Sequence, residues 1–381
     1  MDYNEKALWL HENLKGKLAV VSKIPIKNKE DLSTAYTPGV AEVSKKIYEN
    51  KEEVYRYTIK GNTVAVISDG SAVLGLGNIG AEAAIPVMEG KAVLFKEFAG
   101  IDAFPICIKE QNIKKTIETI KNIASIFGGI NLEDFKAPEC FEIEASLQNL
   151  GIPVMHDDQH GTAIVVLAAL INSLKLRKSN KEEVKIVING SGAAGIAVTK
   201  ILLKYGFKNV ILVDSSGVIY EGRDNLNNIK KEIAAITNHD LVKGELSSAL
   251  KNADIFIGVS KGNILTEKMV KLMNKNPIIF AMANPIPEIM PNLAKNAGAF
   301  IVATGRSDFP NQVNNVLAFP GVFRGALNIR AKKITDEMKI SAAEALASLV
   351  NPEIDKILPN PLDKSVVPAI AEAVKKAYKE D

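Results

Sequence analysis

The chain is poor in cysteine, in arginine, in net charge and in long apolar runs, and each shortage closes off a class of answer. Only two cysteines, Cys107 and Cys140, stand in 381 residues. They have neither the spacing of a zinc site nor the density of a disulfide framework, which suits a reducing cytosol. Lysine plus arginine (47) against aspartate plus glutamate (44) leaves +3, so the chain carries no charge footprint for nucleic acid. Its lysine runs (Lys114 and Lys115, Lys230 and Lys231, Lys375 and Lys376 with Lys379) alternate with acids and apolar residues and read as solvated helix faces. The opening MDYNEKALWLHENLKGK has no apolar leader core, and no stretch approaches about 18 uninterrupted apolar residues. The expectation is a soluble, cytoplasmic protein with neither a nucleic-acid nor a membrane partner. Repeats and low-complexity segments are missing as well.

What is present is an ordinary globular composition, 47% hydrophobic and 24% charged, long enough for two domains at roughly 150 residues each. Amphipathic helices are expected at 4–15 and, more charged, at 51–59. TVAVISDG (63–70) reads as a buried strand ending in an Asp-Gly turn, and further strands are expected at 91–95 and 103–108. Residues 111–126 carry apolar positions three and four apart, a helix period, and HGTAIVVLAALINSLKL (160–176) is a long apolar helix suited to connect domains. From 184 the order is strand, glycine-rich turn, helix, strand, followed by strands at 253–260, 277–285 and 299–305 and a helical tail from 341. The predicted class is therefore α/β. An N-terminal α/β domain (1–160) precedes a Rossmann-like, doubly wound parallel sheet (161–381) on which the C-terminal helices pack back.

Two constellations carry chemistry. Gly190, Ser191, Gly192, Ala193, Ala194 and Gly195 form a G-x-G-x-x-G turn between a strand and a helix, and Asp214 ends the next strand. Such a turn lets backbone approach a pyrophosphate at a helix N-terminus, while the acid accepts from a ribose hydroxyl. GLGNIG (75–80) fits the same pattern but lacks the downstream acid, so it is expected to line a substrate cleft. Just before the dinucleotide turn stand two acidic pairs, Glu133 with Asp134 and Asp157 with Asp158. Each pair alone reads as solvated surface. Together, at the ends of apolar segments, they suit a hard divalent cation. A plain alcohol oxidation needs no such ion, so the combination suggests hydride transfer coupled to enolate formation. Asp157 and Asp158, as neighbours on a strand or loop, should point apart and divide the work. His156 and His160 flank the pair and read as supporting or core residues, since every other candidate ligand is an oxygen.

These motifs, with YTPGV (36–40), SDGSAVLGLGNIG, IPVMEGKAVLFKEFAGIDAFPI, LEDF, HDDQHGT, ANPIPE (283–288) and NNVLAFPGVFRGAL (314–327), resemble the malic enzyme family in its compact prokaryotic form, in order and over nearly the whole chain. The resemblance implies oxidative decarboxylation of L-malate to pyruvate and carbon dioxide, with NAD or NADP and with Mg²⁺ or Mn²⁺. It implies a homodimer. Lys91 becomes the base that takes the C2 hydroxyl proton, and Tyr36 the acid that protonates C3. Glu133, Asp134 and Asp158 become metal ligands, and Asp157 supports the lysine. Asn284 and Asn315 bind the substrate carboxylate and the nicotinamide ribose. Larger members carry an arginine before the GLG turn, where this chain has Ala72, and only six arginines occur in all. The carboxylate anchor must come from the asparagines, a lysine or a partner subunit.

At its ordinary pKa only about 0.04% of a lysine is neutral at pH 7. Lys91 therefore needs a fall of about 3 units, roughly 4 kcal/mol, to act as a base. Asp214, followed by Ser215, Ser216 and Gly217 with no cation among them, predicts a preference for NAD unless Arg223 folds back. A simple 2-hydroxyacid dehydrogenase would not need the acidic pairs. A nucleotide and dicarboxylate sensor would not need Tyr36 and Lys91.

Overall fold

The computed structural model describes residues 2–73 and 75–379 and contains two parallel sheets in sequence. The first is built from β1 (Thr63–Ser68), β2 (Asp102–Cys107), β3 (Gly129–Leu132) and β4 (Val154–His156), in the order β2-β1-β3-β4 and parallel throughout. All six residues of β1 are buried, as a strand covered on both faces requires. The second holds β5 (Lys185–Asn189), β6 (Asn209–Asp214), β7 (Gly217–Val218), β8 (Ile255–Gly258), β9 (Ile278–Ala281) and β10 (Ile301–Thr304). Its order is β10-β9-β8-β5-β6-β7, with only β7 antiparallel. The chain turns back beside β5, so the crevice at the carboxyl ends of β5 and β8 is where a doubly wound sheet takes its ligand.

The helix Asp157–Arg177 joins the sheets and is the one described helix long and apolar enough to span a bilayer; 72% of that apolar stretch is buried inside the protein. Its Asn172 donates to the carbonyls of Ala347 and Ile357, each at 2.8 Å, which ties the C-terminal helix Asp336–Ser348 and the segment that follows it to this helix. The helix Phe319–Asn328 packs on the helices Val366–Ala377 and Gly80–Ala99. Phe319 and Phe323 meet the edge of Phe95 at centroid distances of 4.8 and 5.4 Å. One hydrophobic cluster consequently runs from Val64 and Met88 through Ile164 to Phe280 and Ile370.

Two local expectations are overturned. Residues 91–95 are not a strand: they lie within the helix Gly80–Ala99, which carries Pro86 in its interior. The charged stretch at 51–59 is broken into the short turns Lys51–Glu53, Val54–Tyr57 and Ile59–Asn62. The N-terminal helices Tyr3–Leu14, Lys29–Ala35 and Val40–Glu49 bury none of their residues, and the large apolar side chains of Tyr3, Leu8, Val20, Val21, Tyr36 and Tyr48 are exposed.

Candidate active site

Strand register brings the acidic pairs together. Leu132 at the end of β3 is opposite His156 at the end of β4, so Glu133 and Asp157 leave the sheet side by side. The second pair does not lie on a strand or loop, as expected, but opens the helix Asp157–Arg177. One face of its first turn aims Asp157 at Lys91, and the next position aims Asp158 at Asp134. Lys91 reaches in from the middle of its own helix. Its Nζ lies 2.6 Å from Asp157 Oδ2 and 2.8 Å from Glu133 Oε1, and 4.2 Å from the centre of the Phe319 ring. Asn315 donates to the same Asp157 oxygen at 2.6 Å. Close approach here depends on Gly161, since a Cβ at that position would stand 1.8 Å from Asp157 Oδ1.

Glu133, Asp134 and Asp158 can each offer a ligand atom with all three within 4.8 Å of one another. Asp158 also accepts from the Asp134 backbone N–H at 2.8 Å, while Asp134 Oδ2 is buried without a hydrogen-bond partner among the described residues. An all-oxygen set with an orphaned, buried carboxylate oxygen fits a hard divalent cation. The titration of the cluster reports the same crowding. Burial, then the charges of Asp158 and Glu133, push Asp134 up to about 9. Burial raises Glu133 to about 7, Asp157 to about 7 and Asp158 to about 6. Burial by itself pulls Lys91 down, yet Asp157 and Glu133 outweigh it and hold the ammonium above the ordinary lysine value.

The histidines lie beside the acidic cluster. His156 is fully buried, with Nε2 3.4 Å from Asp158, and burial lowers it to about 4. His160 pairs with Glu144 at 3.0 Å. Glu144 itself escaped the sequence reading. It accepts from the His156 N–H at 2.9 Å and from Gln159 at 3.0 Å, pinning the strand-to-helix turn that carries Asp157 and Asp158. Against its burial, His160 brings Glu144 down to about 2. The signal was available: Glu144 falls on the same helix stripe as buried Cys140, Ile143 and Leu147.

The cluster opens into a cleft of about 860 Å³ lined by Ala72, Gly75, Gly77, Asp158, Gly192, Ala193, Ala194, Asn284 and Asn315. The GLG turn was expected to line a substrate cleft, and Gly75 and Gly77 line this one together with residues of the dinucleotide turn. Gly190 has φ 119°, and a Cβ on Gly195 would meet its carbonyl oxygen at 1.7 Å, so the turn closes only with glycine at both. The cation on the cleft wall is Lys261, in the turn after β8, which the sequence reading passed over. Arg324 instead donates to Asn62 at 2.7 Å, and Arg306 is held by Asp308 at 2.6 Å and the Pro285 carbonyl at 2.9 Å. Tyr36 does not join the constellation. Its side chain is 68% exposed and lies outside the cleft lining.

Comparison with known proteins decides the family. Residues 159–378 match the description "Malic enzyme, NAD binding domain" and residues 15–118 "Malic enzyme, N-terminal domain". The chain belongs to the malic enzyme family. It is 57% identical to the bifunctional malic/malolactic enzyme of Bacillus subtilis, covering 100% of this chain and 94% of that one. It is 55% identical to the NAD-dependent malic enzyme of Geobacillus stearothermophilus, covering 95% and 76%. The crystal structure of the NAD-dependent malic enzyme of Thermotoga maritima superposes with a TM-score of 0.95 at 54% identity, over 97% of this chain and 98% of the other. The α/β class and the Rossmann-like second sheet expected from sequence are those of the malic enzymes.

Proposed function

We propose that the chain oxidises L-malate and decarboxylates it to pyruvate, with NAD as preferred cofactor, NADP as a second, and Mg²⁺ or Mn²⁺ required. The observation that carries this is a buried lysine paired to Asp157 and Glu133 beside a three-carboxylate cluster, at the mouth of a cleft whose opposite wall is the dinucleotide turn. Residues 1–160 would then hold substrate and metal, and 161–381 the cofactor. Glu133, Asp134 and Asp158 would hold the metal, which supplies a Lewis acid for charge developing on the substrate oxygens. Gly190, Ser191, Gly192, Ala193, Ala194 and Gly195 would hold the pyrophosphate of the dinucleotide, whose nicotinamide would supply a hydride acceptor. Lys91 takes the C2 hydroxyl proton. Asp157 orients the lysine and Asn315 orients Asp157, so Asn315 serves the substrate end, while Asn284 lies on the wall shared with the cofactor. Tyr36 returns a proton to C3 once carbon dioxide has left. One proton leaves the substrate and one is restored, so turnover changes no net proton count.

A protonated lysine cannot accept. Its hold comes from the Asp157 and Glu133 carboxylates, and a divalent cation held by Glu133, Asp134 and Asp158 would offset part of that negative charge and favour the neutral lysine.

We also propose a cytoplasmic homodimer in which the N-terminal arm of one protomer lies on its partner. The unburied helices and the exposed Tyr36 support this. Tyr36 then serves the partner's site. The test of the main reading is a steady-state assay with L-malate, NAD or NADP, and Mg²⁺ or Mn²⁺, following reduced cofactor and carbon dioxide, with a chelator as control. Reduced cofactor without carbon dioxide would identify a simple 2-hydroxyacid dehydrogenase. No turnover under any combination would leave a sensor.

A further inference from the structure

Three lysines are buried among the described residues: Lys60, Lys91 and Lys339. A buried ammonium is costly unless its three N–H groups are met. Lys60 donates to the carbonyls of Ser125 and Phe127, each at 2.8 Å, and lies over the Tyr55 ring. Lys91 meets Asp157 at 2.6 Å and Glu133 at 2.8 Å. Lys339, 8% exposed, is the exception: among the described residues its bond is to Asp336 Oδ1 at 3.3 Å. That is long for an ammonium on a carboxylate, where about 2.7–2.9 Å is usual. The Asp336 side chain is itself 55% exposed. Lys339 therefore keeps donor capacity inside the protein that its neighbours do not take up.

Lys339 lines a second cavity, of about 320 Å³, which shares no lining residue with the active-site cleft. The cavity lies between the helix Glu139–Leu147, the first turn of Asp157–Arg177, the helix Ala193–Tyr205 that leaves the dinucleotide turn, and the helix Asp336–Ser348. Its apolar wall is Phe141, Ile201, Ile229 and Ile334. Glu144 is on the wall too, but its oxygens already accept from the His156 N–H, Gln159 and His160. The lining lysines, Lys200 and Lys339, balance Glu144 and Asp336 in charge, so a doubly charged anion gains little here. One carboxylate, taking up the donors of Lys339, suits the site.

We infer that this cavity binds a small monocarboxylate with an apolar body: its carboxylate takes the Lys339 ammonium from Asp336, and its body lies against Phe141, Ile201 and Ile334. The volume equals that of about ten waters, which sets the ligand at about that many non-hydrogen atoms. Binding there leaves the cleft open, so the ligand does not compete with cofactor.

The test is calorimetry on the intact protein with 3-phenylpropionate and with its neutral amide. The acid is expected to bind with a Kd below about 5 mM. The amide should bind at least about tenfold more weakly, for want of a charge-assisted bond. Lys339→Met should weaken the acid about tenfold or more and bring it level with the amide, whereas Lys339→Arg should hold it within about threefold. Asp336→Asn removes the competing carboxylate from a half-exposed position and should tighten the acid, a readout that stands even if Lys339→Met fails to fold. Saturating 5′-AMP and Lys261→Met both act in the cleft, and each should move the Kd less than about twofold. A weaker Kd, equal affinity for acid and amide, or an unchanged Kd in Lys339→Met would overturn the inference. So would loss of binding in Lys261→Met, which would place the acid in the cleft. None of these readouts uses turnover, so a failed malate assay would sink the substrate reading and leave this one standing.

Discussion

Replacing Gly161 by alanine adds one methyl group and tests whether Asp157 is what holds Lys91. On secondary-structure grounds the change should help, since alanine is favoured over glycine inside a helix by about 1 kcal/mol. Geometry opposes it. The new Cβ would stand 1.8 Å from Asp157 Oδ1 and 2.8 Å from its Cγ, where real Cβ contacts stay beyond 3.0 Å. The carboxylate must therefore retreat by more than 1 Å. Its bonds to Lys91 and Asn315, each 2.6 Å, then lengthen beyond hydrogen-bonding range. Overpacking of this kind costs about 1–3 kcal/mol, so after the propensity gain of about 1 kcal/mol we expect a net loss of about 0–2 kcal/mol in denaturant unfolding. The effect on turnover should be larger in proportion. Misplacing a positioning group by about 1 Å costs on the order of a hundredfold, so kcat/KM for malate should fall about that much while 5′-AMP binding stays within twofold. If Gly161→Ala keeps a third of wild-type activity, Asp157 does not position the base.

Mixing inactive variants tests the exchanged arm. Lys91→Ala and Tyr36→Phe, denatured and refolded together in equal amounts, should regain about a quarter of wild-type activity if each site takes Lys91 and Tyr36 from different protomers, and nothing if both come from one. Asp158→Ala should abolish turnover at ordinary Mg²⁺ with cofactor binding intact, and a tenth of the activity remaining would contradict its role as a ligand. The metal should also change how stability depends on pH. Asp134, Glu133 and Asp158 titrate near 9, 7 and 6 in the folded chain, all above ordinary carboxyls. Their contribution is therefore fully present below about pH 4 and is lost as pH rises toward 9. Thermal unfolding should accordingly show the Tm gain from Mn²⁺ growing between pH 5 and pH 8, and a gain that shrinks over that range would exclude the cluster as the binding site.

The cofactor turn could be read from sequence because its geometry is local: glycines at 190 and 195 are demanded by their own backbone. The acidic pairs, and the expectation that Asp157 and Asp158 divide the work, could also be read there, but how the pairs meet could not, because that depends on β3 and β4 ending in register and on a helix beginning at Asp157 rather than later. Lys91 was found by resemblance and misplaced by pattern. A short run such as Val93, Leu94 and Phe95 fits strand or helix equally, and only packing against Phe319 and Phe323 distinguishes them. Glu144 was hidden because a lone acid in an acidic helix looks solvated until its stripe is counted. Arg223 does fold back and donates to both oxygens of Asp214, and that depends on how the chain returns after β7, which no spacing rule supplies.

The contact of Phe319 and Phe323 with Phe95 has a consequence for synthesis. These partners are more than two hundred residues apart, and at the usual elongation rate of about 5–20 residues per second the first waits roughly 10–45 seconds for the others. During that interval the helix bearing Lys91 can pack on β1 and β2, but its patch around Phe95 stays open to water. The first sheet therefore emerges as an aggregation-prone intermediate. Expression at lower temperature or with more holdase chaperone should raise the soluble yield more than any surface substitution, because the vulnerable stage precedes the folded protein.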